Sequence, residues 1–177
     1  MKHPIYWWLG KEMDNKVRWY DRHEQLVVLF DAVTDDVMPE DPEAWWTIVK
    51  QVWERTEGAC FQTEAWYTIF NAHPDINSST KEFIKNIPTL YRGITAETAK
   101  KDTGWSWTTD RNKAEWFAHR NALFTSGTPL VLECNPNPTD VLCYIEDSDE
   151  GEVILFNKNA SYYVNCPSEW AEEMESV

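Results

Sequence analysis

An α+β fold is predicted for this 177-residue chain by two observations. Apolar residues in the first half recur on a helical period. Those in the second half gather into short β-branched and aromatic runs separated by turn residues. Helices first and strands later are the α+β pattern. The length suits a single domain over 1–177, with a helical lobe over 1–88 and a strand-rich part over 89–177.

In chain order, Val17 to Val33 reads as a helix by its apolar spacing. Asp41-Pro42-Glu43 opens a second helix: the aspartate accepts free N–H groups, proline fits the first turn, and the glutamate suits the positive end of the dipole. Trp45, Trp46, Val49, Val52 and Trp53 mark its buried face. Trp66, Ile69 and Phe70 repeat the pattern before His73-Pro74 breaks it. Ser79-Thr80-Lys81-Glu82 matches a capping box opening a short helix over Phe83 and Ile87, which Pro88 closes. The tryptophans of this half, Trp7, Trp8 and Trp19 included, read as packing residues rather than a ligand cage.

Strands are then expected at Leu90–Ile94, Trp105–Thr108, Leu130–Cys134, Val141–Ile145, Val153–Phe156 and Tyr162–Val164. About one helical turn fits around Ala96 to Lys101. Asp110 caps a longer helix with a face of Ala114, Phe117, Ala118 and Asn121. Asn135-Pro136-Asn137-Pro138 is a turn.

Sixteen basic residues against thirty acidic ones give a net charge of −14, and neither half is basic. Binding to nucleic acid or an anionic membrane is disfavoured, because both need a cationic footprint. An aromatic content of 14% argues against a disordered chain. No apolar run approaches the length of a membrane span, and Met1 to Gly10 is too short an apolar stretch for a signal peptide. Cys60, Cys134, Cys143 and Cys166 form no Cys-x-x-Cys pair and the four histidines are scattered, so no metal site is expected. Reduced thiols in an intracellular, cytoplasmic protein is the expectation.

Three pieces of the strand-rich half carry chemistry. Arg92 sits in a short apolar strand, and its guanidinium fork matches a phosphate; beside it, Gly93 lets a flat ligand approach the backbone. Ser106 and Thr108 present two hydroxyls on one strand face, with Trp105 and Trp107 on the other. Glu150 and Glu152, spaced i and i+2, would project side by side where an apolar strand opens, a pairing useful where positive charge develops in glycosidic cleavage. Taken singly, each piece has a plain structural explanation: a solvated acidic loop, an arginine paired with an acid, ordinary strand alternation.

Arg92 on a first strand, Ser-x-Thr on a second leading into a helix, then Glu-x-Glu opening a later strand resembles the R-S-E class of mono-ADP-ribosyltransferases over residues 90–156. The resemblance implies a split β-sandwich with a helical segment before it, and NAD as substrate without a metal. It implies that Arg92 holds an NAD phosphate and Gly93 contacts the nicotinamide amide. Ser106 would orient the catalytic Glu152, with Thr108 as supporting hydroxyl. Glu152 would bind the ribose 2′-hydroxyl and stabilise the oxocarbenium ion, while Glu150 engages an arginine acceptor. The short interval from Arg92 to Ser106, and Trp107 at the middle of the serine motif, are departures from the class. Trp116, Phe117 and Phe124 are candidates to stack on nicotinamide, with Phe117 assigned to the core by helical spacing. The implied activity is transfer of ADP-ribose to an intracellular protein, a basic one being favoured by the charge, by a viral or bacterial effector. NAD glycohydrolysis and a non-catalytic binding module on the same fold stay open.

Overall fold

The computed structural model describes residues 22–56, 63–73, 75–100, 104–146 and 151–156. The expected turns of helix before Arg22, the strand at Tyr162–Val164, and Glu150 lie outside them. The chain divides into two compact units, Met1–Lys81 and Glu82–Val177. No helix among the described residues is long and apolar enough to cross a membrane.

The first unit is helical. Helix α1 (Arg22–Thr34) buries Leu26, Val28, Leu29 and Ala32. Helix α2 (Pro42–Arg55) starts as its sequence dictates, with the Asp41 side chain accepting from the Glu43 N–H. Its apolar face, Trp45, Trp46, Val49, Val52 and Trp53, is wholly buried. Helix α3 (Thr63–Phe70) buries Trp66, Ile69 and Phe70. Trp53 meets Trp66 edge-to-face at 4.9 Å between ring centroids, and Trp66 stacks on Phe70 at 5.5 Å. Each buried tryptophan removes roughly 150–250 Å² from water, an upper bound of about 4–6 kcal/mol. The indole N–H of Trp46 donates to the Asp75 carbonyl at 2.8 Å, which satisfies a polar atom the burial would otherwise strand.

The start of α4 (Ser78–Phe83) corrects the capping-box expectation. The cap is Asn77, buried completely, whose Oδ1 accepts from the Thr80 N–H at 2.7 Å. Ser79 lies inside the first turn. Asparagine caps as well as serine does, and here the Glu43 carboxylate also takes the Ser78 N–H at 2.8 Å, which fixes the cap two residues earlier.

Among the described residues, the second unit holds a five-stranded antiparallel sheet with strand order β3-β1-β2-β5-β4. Its strands are β1 (Leu90–Thr95), β2 (Ser106–Thr108), β3 (Pro129–Cys134), β4 (Val141–Ile145) and β5 (Glu152–Leu155). A one-turn helix, α5 (Ala96–Ala99), follows β1, and a 3₁₀ turn (Pro138–Asp140) links β3 to β4. Leu90, Ile94, Trp107, Leu132, Cys134, Val153 and Leu155 form one core, with Phe83, Ile84 and Ile87 packed on it. Helix α6 (Arg111–Thr125) packs on β1 and β3 through Ala114, Ala118, Val131 and Tyr91. Asp110 caps α6, accepting from the Asn112 and Lys113 N–H groups.

The approach of α6 to β1 depends on Gly93. A Cβ there would lie 1.8 Å from the Ala114 carbonyl oxygen and 2.5 Å from the Ala118 nitrogen. The helix therefore rests on bare strand backbone.

Candidate active site

Strand alternation sends Leu90, Arg92 and Ile94 to one face of β1 and Tyr91, Gly93 and Thr95 to the other. β1 and β2 share a single register pair, Tyr91↔Thr108, whereas β1 and β3 share six. The sheet is thus thinly joined between β1 and β2. There the Arg92 Nη1 donates to the Ser106 carbonyl, a side-chain link where a longer ladder would place a backbone one. Gly104 makes room for it: a Cβ there would fall 2.3 Å from Nη2 of Arg92, and the residue has φ +69°. Glycine meets both demands.

A cleft of about 260 Å³ opens at this junction. Arg92, Gly93, Ser106 and Thr108 all line it, with Tyr91, Trp107 and, from α6, Phe117, Arg120 and Asn121. All four sequence-predicted residues thus border the cleft, but from two faces of the sheet: Arg92 belongs to the face of Leu90 and Ile94, whereas Ser106 and Thr108 share the face of Tyr91 and Gly93. Gly93 has its carbonyl held by the Asn121 amide at 3.1 Å, and its missing side chain serves the helix above.

Glu152 joins them through register. β2 pairs with β5 as Ser106↔Ile154, Trp107↔Val153 and Thr108↔Glu152. Paired residues share a face, so Tyr91, Thr108 and Glu152 form one row across β1, β2 and β5. The residue directly opposite Glu152 is thus Thr108; Ser106, on the same face, is its diagonal neighbour. Thr108 is buried, and its Oγ1 accepts from the Asp110 N–H at 3.0 Å, which ties the row to the start of α6. Glu152 itself is half-buried.

The side-by-side geometry expected for Glu150 and Glu152 does not follow from strand alternation. β5 begins at Glu152, and Gly151 has φ +54°, a left-handed turn rather than an extended residue. A Cβ at Gly151 would lie 2.9 Å from Thr109 Oγ1. Glu150 is outside the described residues.

Phe117 also departs from expectation. It lines the cleft instead of joining the α6 core, which the narrow Ala114/Ala118 stripe supplies. Arg120 and Asn121 were not singled out as ligand-facing. Their signal was available: one helical turn beyond Phe117, they border the same alanine stripe. Arg120 adds a second guanidinium to the cleft, 5.5 Å from the Trp116 ring centroid and 5.7 Å from that of Phe124. At the start of α6, Arg111 Nε donates to the buried Glu115 at 2.9 Å, and its Nη1 lies 3.7 Å from Glu133 on β3. The hydrogen bond to Glu115, above all, holds the Arg111 pKa above its ordinary value.

No protein-family model matches this chain, and no curated protein or solved structure is significantly similar to it.

Proposed function

We propose that this chain transfers ADP-ribose from NAD to a protein acceptor, on arginine, with release of nicotinamide, and that its five strands belong to an ADP-ribosyltransferase-like split β-sandwich divided at the thinly joined β1/β2 junction. The observation that carries the reading is the neighbourhood of β1, β2 and β5, with Arg92, Gly93, Ser106 and Thr108 around one cleft and Glu152 in register with Thr108. At about 260 Å³ the cleft is smaller than most pockets for drug-sized ligands. That suits the reacting end of a dinucleotide, with the remainder lying outside.

In this reading Arg120 serves phosphate oxygens from α6, and Arg92, which comes from the opposite face of β1 with Nη1 on the Ser106 carbonyl, reaches them at the β1/β2 gap. The bond between the ribose C1′ and the nicotinamide nitrogen breaks, and its electron pair leaves with nicotinamide. The Glu152 carboxylate stabilises the oxocarbenium ion that remains. A guanidinium nitrogen of the acceptor then bonds to C1′, and its proton goes to a carboxylate, the role of Glu150. The same ion captured by water would give NAD glycohydrolysis.

The test is nicotinamide release from NAD by the purified protein, with and without cell extract, using Glu152→Gln as control. Release that needs extract and labels a discrete protein band supports transfer, and Glu152→Gln should lower it by about 10²–10³-fold. Release without a labelled acceptor makes the protein a glycohydrolase. No release from folded protein, or a Glu152→Gln variant as active as the parent, refutes the catalytic reading and leaves a binding module.

A further inference from the structure

Arg120 lies against the rings of Trp116 and Phe124, one turn before and one turn after it on α6, at 5.5 and 5.7 Å from their centroids. Stacking engages the face of a guanidinium and leaves its N–H edges for an oxyanion. Among the described residues no carboxylate takes those edges. From Arg111 to Ser126 the sequence holds one carboxylate, Glu115, which is buried and bound by Arg111. The outer flank of α6 is therefore cationic, in a chain of net charge −14. Lys113, Phe117, Arg120 and Phe124 recur at spacings of four, three and four, which sets them in one stripe. Phe117 and Arg120 of that stripe line the cleft, whereas Phe124, 78% exposed, stands beyond it. A large ring left in water beside an unpaired guanidinium marks a contact surface more often than a solvated one.

We propose that the ADP half of the dinucleotide lies along this stripe, with the pyrophosphate on Arg120 and the adenine stacked on Phe124. The proposal rests on the cleft being the dinucleotide site. The reacting end belongs by the Thr108–Glu152 row, which Thr108 Oγ1 ties to the start of α6 through the Asp110 N–H. A dinucleotide that leaves the cleft past Arg120 is therefore running toward the C-terminal end of α6. Phe124 stands there one turn further on, about 6 Å along the axis. The cleft, at about 260 Å³, leaves the ADP half outside, and the stripe offers that half a cation for its phosphates and a ring for its base. An aromatic platform holds a base through its π-face. Phe124 is thereby assigned to adenine rather than to nicotinamide.

The experiment is a ligand-observed NMR titration of the full chain with ADP-ribose and, separately, with nicotinamide mononucleotide, which carries only the reacting end. Saturation transfer to the adenine protons of ADP-ribose is expected. Phe124→Ala should weaken ADP-ribose by about fivefold or more, the scale of one base stacked on a ring, and leave nicotinamide mononucleotide unchanged. Phe124→Tyr should recover the affinity and Phe124→Leu should not. Arg120→Ala should weaken ADP-ribose by about tenfold or more, the scale of a hydrogen bond to a charged group. An ADP-ribose affinity indifferent to Phe124→Ala, or as well kept by leucine as by tyrosine, would overturn the adenine placement, while binding of nicotinamide mononucleotide would leave the reading of the cleft standing. If Phe124→Ala weakened nicotinamide mononucleotide instead, the ring would serve nicotinamide and the proposal would fall. Binding of neither ligand to the folded protein would remove the reading of the cleft and this proposal with it.

Discussion

Replacing Gly93 with alanine adds one methyl group, and the structure sets its cost. The new Cβ would sit 1.8 Å from the Ala114 carbonyl oxygen, where ordinary contact begins near 3.4 Å. Helix α6 would have to withdraw by about 1.6 Å, about the rise of one helical residue. Both nearest obstacles are backbone atoms, so no rotamer change relieves the clash, and trimming the neighbour by Ala114→Gly should not rescue it. Withdrawal would loosen Ala114, Ala118 and Val131 and break the Asn121 hydrogen bond to the Gly93 carbonyl. A cost of about 3 kcal/mol is expected, the upper end for an overpacked site. With a urea slope of about 2 kcal/mol/M, the unfolding midpoint should fall by about 1.5 M. Hydrogen exchange at the α6 and β1 amides, followed along the urea series, reads this unit specifically. A midpoint within about 0.3 M of the parent would refute the reasoning, and would mean that Gly93 is required by a ligand rather than by the helix.

Gly151→Ala places a Cβ on a left-handed residue beside Thr109; a loss of about 1 kcal/mol in denaturant unfolding is expected, and because Glu152 is the next residue, nicotinamide release should fall with it. Asn77→Ala removes a fully buried cap and should cost about 1–2 kcal/mol, with Asn77→Ser recovering most of it in thermal melts. The Glu97 carboxyl, which accepts from its own N–H and from that of Thr128, is held below its ordinary value by those bonds. A lowered acid contributes stability that is present above the unfolded value near 4.5 and lost as pH falls through the folded one. The Thr128 amide resonance should therefore move only on acidification below that value, and Glu97→Gln should abolish the movement.

Much of this fold was legible because its causes are local. Asp41 and Asp110 cap helices through bonds to residues two and three ahead, and the faces of α2 and α3 follow from a 3.6-residue period. The five described strands were each anticipated to within about two residues. Arg92, Ser106, Thr108 and Glu152 could be picked out by residue type and order along those strands. What distant chain segments do to one another was not legible. Asn77 displaced Ser79 as cap with support from Glu43, thirty-five residues before Ser78. Gly93 answers to a helix twenty-one residues further on, and Phe117 turned to the cleft because two alanines had already filled the space beneath α6. Gly151 is left-handed, so the strand alternation of β5 does not extend back beyond Glu152, which sequence spacing does not announce. The sequence by itself determined the elements and their faces, because backbone hydrogen bonding and side-chain periodicity act over a few residues. Only the tertiary structure decided that β1, β2 and β5 are neighbours, that Thr108 faces Glu152, and that Arg120 reaches the cleft. Register and strand order are set by which apolar faces can be buried together, and that is a property of the whole unit.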